Sequence, residues 1–269
     1  MVDFENEEIS GVYGLKKLMA HLCSPDGCPW DRAQTHQSIR RNMIEEAYEA
    51  AEAIDSGDMD YLREELGDVL LQVAFHSEMA QRAGHFDLDQ VADETCRKLI
   101  RRHPHVFGDK HAESSAESLV HWDRIKQEEK QQDTVSATLD GVARTLPSLW
   151  RAEKIQKKAA KVGFDWPDIS GALKKLCEEL EELEEAISSG EGIPEELGDL
   201  LFSAVNVSRF CGVDPEEALG ASCDKFVKRF ASLEESAIAQ GLSLENMTLN
   251  EMDNLYEEAK RKESCDGAK

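Results

Sequence analysis

The chain has 269 residues, 41% of them hydrophobic and 32% charged, with 31 basic side chains against 55 acidic ones. A formal charge of −24 excludes a protein that grips a phosphate backbone, because no basic face of useful size exists to displace counterions. The length suits two domains of about 130 residues each, and only 17 Gly and 7 Pro in an Ala-, Leu-, Glu- and Lys-rich chain point to an all-α build.

The acidic start, MVDFENEEIS, lacks the basic and apolar regions of a signal peptide, and no apolar run is long enough to span a bilayer. The expectation is a cytoplasmic protein with neither membrane nor nucleic acid as a partner. Seven scattered cysteines without a CxxC pair read as reduced thiols. From Gly11 to Cys23 the spacing of Leu15, Leu18, Met19 and Leu22 predicts a short helix. SPDGCPWDRAQTH then reads as a loop, broken by Pro25, Gly27 and Pro29, with Thr35 or Ser38 to cap the next helix. Trp30 is expected to anchor that loop by packing, with base stacking as the alternative.

Met43 to Ala80 is the stretch around which the rest is organised. Met43, Ala47, Ala50 and Ile54 fall at i, i+4, i+7 and i+11, an apolar stripe with Glu46 and Glu49 on its flank. Leu62, Leu66, Val69 and Val73 repeat the stripe, again with acids, Glu65 and Asp68, at i+3 and i+6. If Ser56-Gly57-Asp58 turns the chain and the stripes pack together, four carboxylates converge at the edge of a shared core. Such convergence needs a counter-charge, since neighbouring carboxylates raise one another's pKa and resist burial. An all-oxygen ligand set suits magnesium or manganese. An ordinary amphipathic hairpin with solvated glutamates is the competing reading.

Further on, a helix is predicted from about Leu88 to Arg102, ended by His103-Pro104, with Lys98 and Arg102 four apart. Trp122 and Lys126 are likewise four apart. The polar segment after Glu128 reads as a linker over 133–145, dividing modules 1–132 and 146–269.

The plan then returns, as in a duplicated module. Leu176, Leu180, Leu183 and Ile187 carry Glu179 and Glu182 at i+3 and i+6; Ile193, Leu197, Leu200 and Ala204 carry Glu196 and Asp199 likewise. EELGDVL matches EELGDLL, Lys98/Arg102 matches Lys225/Arg229, and Trp122/Lys126 matches Tyr256/Lys260. Loop lengths and most surface residues change between the halves, while acids, cations and aromatic keep their order. A metal–polyphosphate site needs those three kinds of group: acids for cations, Lys and Arg for phosphate oxygens, an aromatic for a base. Glu45 and Glu178, just before each acidic pair, are read as solvated.

The ordered set E-E-x-x-E, E-x-x-D, CPWD, RRHPHVFG and W-x-x-x-K, running from about Gly11 to Lys262, resembles the MazG-type nucleoside triphosphate pyrophosphohydrolases in their two-module form. The resemblance implies tandem all-α modules that form bundles through dimerisation, and a house-cleaning or pool-controlling hydrolysis of nucleoside triphosphates to monophosphate and pyrophosphate. It implies magnesium, with manganese able to substitute, on Glu46, Glu49, Glu65 and Asp68 and on Glu179, Glu182, Glu196 and Asp199. It places phosphates on Lys225 and Arg229, and on Lys98 and Arg102 if the first site works, with Trp122 or Tyr256 near the nucleotide. Two departures stand out: Tyr256 replaces the usual Trp, and the turn from Gly190 to Pro194 is short and carries no basic residue. With no constellation for reading a base edge, broad base tolerance is expected, and the uninterrupted helix around Lys225 and Arg229 favours the second module as the main catalyst. The alternatives are a di-iron or di-manganese carboxylate bundle, which usually supplies Glu-x-x-His pairs, and a non-catalytic helical interaction module with relic metal sites.

Overall fold

A computed structural model of the protein describes residues 9–109, 114–129 and 134–266. Among the described residues there are helices and no strands, as the composition implies, and the chain divides into two compact units, Met1–Lys126 and Gln127–Lys269.

The first unit contains α1 (Gly11–Leu22), α2 (Pro29–Ala33), α3 (Arg40–Ser56), α4 (Met59–Arg82), α5 (Leu88–Arg102), α6 (Pro104–Phe107) and most of α7 (Ser115–Glu129), whose last turn falls past the division. The expected turn joins α3 to α4. Gly57 takes φ 70°, a conformation that costs a Cβ-bearing residue strain, and the Asp58 carboxylate accepts from the N–H groups of Asp60 and Tyr61 to start α4. Met19, Cys23, Ile39, Ala74, Phe75 and Leu88 form the core.

Two local expectations are corrected. Part of the loop after α1 is helical, because Pro29 occupies a first-turn position where its missing N–H costs nothing. Neither Thr35 nor Ser38 caps α3: each accepts from the other's backbone N–H, closing a turn ahead of Ile39, whose side chain offers no cap.

The second unit contains α8 (Val135–Asp140), α9 (Ser148–Ala160), α10 (Ile169–Ser189), α11 (Ile193–Cys211), α12 (Pro215–Ala239) and α13 (Leu249–Asp266), with one 3₁₀ turn at Leu244–Asn246. Gly190, at φ 77°, ends α10 as Gly57 ends α3. Leu233, Ala237 and Leu255 join α12 to α13. Of the stretch 133–145 read as a linker, residue 133 lies outside the described residues, and those that follow include α8. Thr134 caps α8, α8 packs on α9, and Val142 is buried. Its polar composition hid a helix that finds its apolar cover in tertiary contact.

The largest difference from expectation lies in which helix faces meet. Met43, Ile54, Leu66, Leu180, Ile187 and Leu197, all members of the apolar stripes, are exposed within the chain. Of the stripes, Ala50 on α3 and Leu183 on α10 are buried, and the other residues buried on these helices are small, Ala53 on one and Ala172 and Ala186 on the other, with Glu65 of α4 and Glu179 of α10 buried as well. Alanine lets the backbones approach, and one acid of each group, Glu65 or Glu179, is buried while Glu49, Glu182 and Asp199 remain exposed.

Candidate functional site

In the first unit α3 presents Glu46 and Glu49 toward Glu65 of α4, and one carboxylate oxygen from each lies within 4.8 Å of the others. Asp68, one turn along α4, stands outside this tight group, yet its charge is felt there. Burial pushes the Glu46 and Glu65 carboxyls up, and the charges of Asp68 and Glu49 push them the same way. Gln72 donates to Glu46 Oε1 at 3.4 Å. Oε2 of Glu65 is buried without a hydrogen-bond partner, an arrangement that costs stability unless something else satisfies it.

The second unit reproduces the arrangement with a different member left outside. Glu179 of α10 meets Glu196 and Asp199 of α11 within 4.8 Å, and Glu182 stands beyond the group. Burial pushes the Glu182 carboxyl up; Lys175 opposes this, while Glu179 and Glu196 reinforce it. Oε2 of Glu179, a residue only 5% exposed, is again buried and unpartnered. Its Oε1 accepts from Lys175 at 2.8 Å, and the same ammonium bonds Glu178 at 2.7 Å. The two carboxylates push the Lys175 pKa up. Sequence reasoning missed Lys175, although its position four residues before Glu179 was a legible signal. The corresponding position before Glu46 is Asn42. Glu178 is therefore ion-paired rather than merely solvated, and so is Glu45, with Arg41 at 2.8 Å.

The cations and aromatics sort differently in the two units. Arg102 is 8% exposed and lies under the Trp122 ring at 5.1 Å, with His103 edge-on to that ring. This basic residue is committed to packing inside its own unit, whereas Lys98 lines a shallow depression with Phe86 and Gln90. On α12, Lys225 is exposed and forms no ion pair among the described residues. Arg229 donates to Glu263 of α13 at 2.8 Å, and Tyr256 packs against Phe226 at 5.8 Å. These partners lie on α12 and α13 rather than among the α10–α11 carboxylates. Trp30 is 58% exposed, its ring 6.5 Å from Phe75.

The MazG nucleotide pyrophosphohydrolase domain matches this chain twice, over residues 34–107 and 169–232. The chain is 47% identical, over 91% of its length and 94% of the relative's, to the nucleoside triphosphate pyrophosphohydrolase/pyrophosphatase MazG of Thermotoga maritima. It belongs to the MazG family. It is also 42% identical to the nucleoside triphosphate pyrophosphohydrolase of Escherichia coli K12, over 93% of this chain and 97% of that one. A third relative, the uncharacterized protein YabN of Bacillus subtilis, is 46% identical over 92% of this chain and 51% of its own length.

Both MazG matches enclose a complete helix pair with its four acids, while Trp122 and Tyr256 lie outside them. The donor sets fit a hard divalent cation: every ligand atom is a carboxylate oxygen, and in each MazG domain one buried oxygen lacks any other partner. Among the described residues no His or Cys joins either group, which leaves the di-iron reading without its Glu-x-x-His pairs. No described helix is long and apolar enough to cross a membrane, and Cys23, Cys28, Cys96, Cys177, Cys211 and Cys223 are all free.

Proposed function

We propose that the protein hydrolyses nucleoside triphosphates, ribo and deoxyribo and with broad base tolerance, to the monophosphate and pyrophosphate in a magnesium-dependent reaction. One observation carries the reading: two separate helix pairs each bring three carboxylates within 4.8 Å and bury one oxygen with nothing to satisfy it. A scaffold needs neither feature, because an unpaired buried carboxylate lowers stability. The names of the Thermotoga and Escherichia relatives support the reaction class.

Glu179, Glu196 and Asp199, with Glu182 beside them, are the metal-holding set of the second unit; Glu46, Glu49, Glu65 and Asp68 are that of the first. When bound there, magnesium, or manganese in its place, supplies charge neutralisation for the triphosphate and acidifies water for attack. Lys225 is free to take phosphate oxygens, and Arg229 joins it by exchanging Glu263 for phosphate, so both stabilise charge on the departing pyrophosphate. Tyr256 offers an aromatic face to the nucleoside from α13. The second unit carries most of the turnover, since its Lys225 is exposed where Arg102 of the first unit is buried. The exposed stripe residues Leu180, Ile187 and Leu197, together with the exposed Leu201, support at least a dimer, in which a second copy covers them.

The test is product chromatography with ATP, GTP, CTP, UTP and their deoxy forms. Monophosphate and pyrophosphate appearing only with magnesium is the expected result. Orthophosphate and diphosphate in their place refute the reaction assignment, and no product at all favours the non-catalytic interaction module.

A further inference from the structure

In the first unit His36, in the turn ahead of α3, and His76, on α4, face each other through their Nδ1 atoms at 2.8 Å. The two rings lie within 4° of parallel, with centres 5.1 Å apart. That distance equals the Nδ1···Nδ1 separation plus one ring radius at each end, so both nitrogens sit on the line of centres and the rings meet edge to edge in nearly one plane. The lone pair or N–H of an imidazole nitrogen points outward along that same direction. In-line contact is the geometry of a shared proton, whereas a metal held by both nitrogens would stand off the line between them.

His36 is exposed, while Nε2 of His76 is buried with no partner. His76 therefore donates from Nδ1 and leaves a lone pair at the buried Nε2, because the opposite tautomer strands an N–H there, the costlier orphan. A further proton has no good place. On His36 Nδ1 it sets two N–H groups head to head, and moving the shared proton aside to His76 Nε2 buries a donor without an acceptor. Burial pushes the His76 pKa down, and charge on His36 pushes it the same way. Among the described residues no carboxylate offsets these effects at His76. Around the pair, Arg40 and Arg41 are exposed at the start of α3, Arg41 paired with Glu45, and Arg32 of α2 donates to the Pro25 carbonyl. Lys16 of α1 and Asp87 and Asp89 at the start of α5, helices that also pack on α4, are paired with one another.

Gly57 closes the α3–α4 hairpin at one end, Gln72 of α4 meets Glu46 of α3 within it, and His36 with His76 closes the other end. We infer that His36 and His76 are a pH-sensitive latch: neutral, they tie the entry of α3 to α4, and in mild acid they take up protons, part, and let that end of the hairpin open. The neutral pair favours closure. Closure is thus fully present above the value of a free imidazole, about 6.5, and is lost as pH falls through the lower value of the closed form. Glu46, Glu49 and Glu65 lie between the two closures in sequence, so the latch governs how firmly α3 is held against α4 around them. The inference is independent of the reaction proposed above. The second unit has no such pair: the residues at matching distances from its acids, ten before Glu179 and eight beyond Asp199, are Ile169 and Val207.

The test is amide hydrogen exchange of the full chain, read by NMR and corrected for the intrinsic pH dependence of exchange. It follows the Ile39 and Met43 amides, which donate to the Thr35 and Ile39 carbonyls. From about pH 7.5 to about pH 5 their protection should fall by about tenfold or more, while the amides of α10 keep theirs. His36→Phe leaves a flat ring in the turn without a proton site, and should abolish the pH dependence. Protection that is unchanged in wild type, that falls equally in α10, or that falls by the same factor in His36→Phe overturns the inference; the last result assigns the effect to the carboxyls of Glu46 and Glu65, which burial also pushes toward neutrality. If His36→Phe does not fold, nitrogen-15 NMR of the wild-type rings decides. One ring protonated at Nδ1 and the other at Nε2 near neutral pH, with both gaining charge as Ile39 loses protection, is the expected result. Two Nε2–H rings that titrate independently sink the latch.

Discussion

Glu196→Gln keeps the side chain's shape and removes one charge from the α10–α11 group. With the oxygens of Glu179, Glu196 and Asp199 within 4.8 Å of one another, a divalent ion among them stands about 4 Å or less from each carboxylate. Losing one of them weakens its attraction by about 2 kcal/mol at the dielectric of bulk water and about 8 kcal/mol at an effective dielectric near 20. The smaller figure alone is about 30-fold in affinity. Lys175 already offsets one negative charge, so Glu179, Asp199 and Lys175 together retain only one. Pyrophosphate release from ATP should therefore fall by at least 30-fold at limiting magnesium, and the dependence on magnesium should move to higher concentration, with the thermal melt of the apoprotein unimpaired. Glu65→Gln, in the first unit, should keep most of the rate. If Glu196→Gln stays active at limiting magnesium while Glu65→Gln is dead, the assignment of the working site is reversed. If only the double variant is dead, both sites are competent.

Light scattering at micromolar concentration should give at least twice the mass of one 30.1 kDa chain, and a compact monomer refutes the covering of the Leu180–Leu197 face. The Asp165 carboxyl is held below its ordinary 3.8 by the bonded Arg209 guanidinium. Its stabilising contribution is thus present above the unfolded value and lost as pH falls through the folded one. Asp165→Asn should lower stability by about 1 to 2 kcal/mol at neutral pH, with the gap from wild type closing in acid urea titrations run below pH 3.8; a gap that persists there removes the ion pair as its cause. Asp214 caps α12 through the N–H groups of Glu216 and Glu217 and accepts the Trp150 indole N–H at 2.9 Å. Asp214→Ala should cost about 2 to 3 kcal/mol, cap and orphaned indole together, read as a drop in Tm that Asp214→Asn partly restores.

The helical hairpins were legible because a helix repeats every 3.6 residues: Glu46, Glu49 and Glu65, and Glu179, Glu196 and Asp199, could be placed on facing elements from spacing alone. Ser56-Gly57-Asp58 was legible because a left-handed glycine and an Asp cap are local chemistry. The choice of packing face was not. Periodicity marks a stripe such as Met43–Ile54 without saying what covers it: within the single chain Ala50 of that stripe is buried beside Ala53, while Met43 and Ile54 stay exposed.

Duplication explains why the two units share the same acid ladder and yet are not equivalent. A ladder at i, i+3 on two helices survives as long as both helices pair, whatever surrounds it. The surroundings answer to different demands. Where the second unit has Lys175 on its acids and an exposed Lys225, the first has Asn42 and an Arg102 closed beneath Trp122. Each difference in the first unit removes or buries a cation. None of them touches Glu46, Glu49 or Glu65, whose buried, unpartnered Oε2 still calls for a cation. The two units therefore share an acidic group and differ in the cations around it, which is the physical ground for expecting Glu196→Gln and Glu65→Gln to affect the rate unequally.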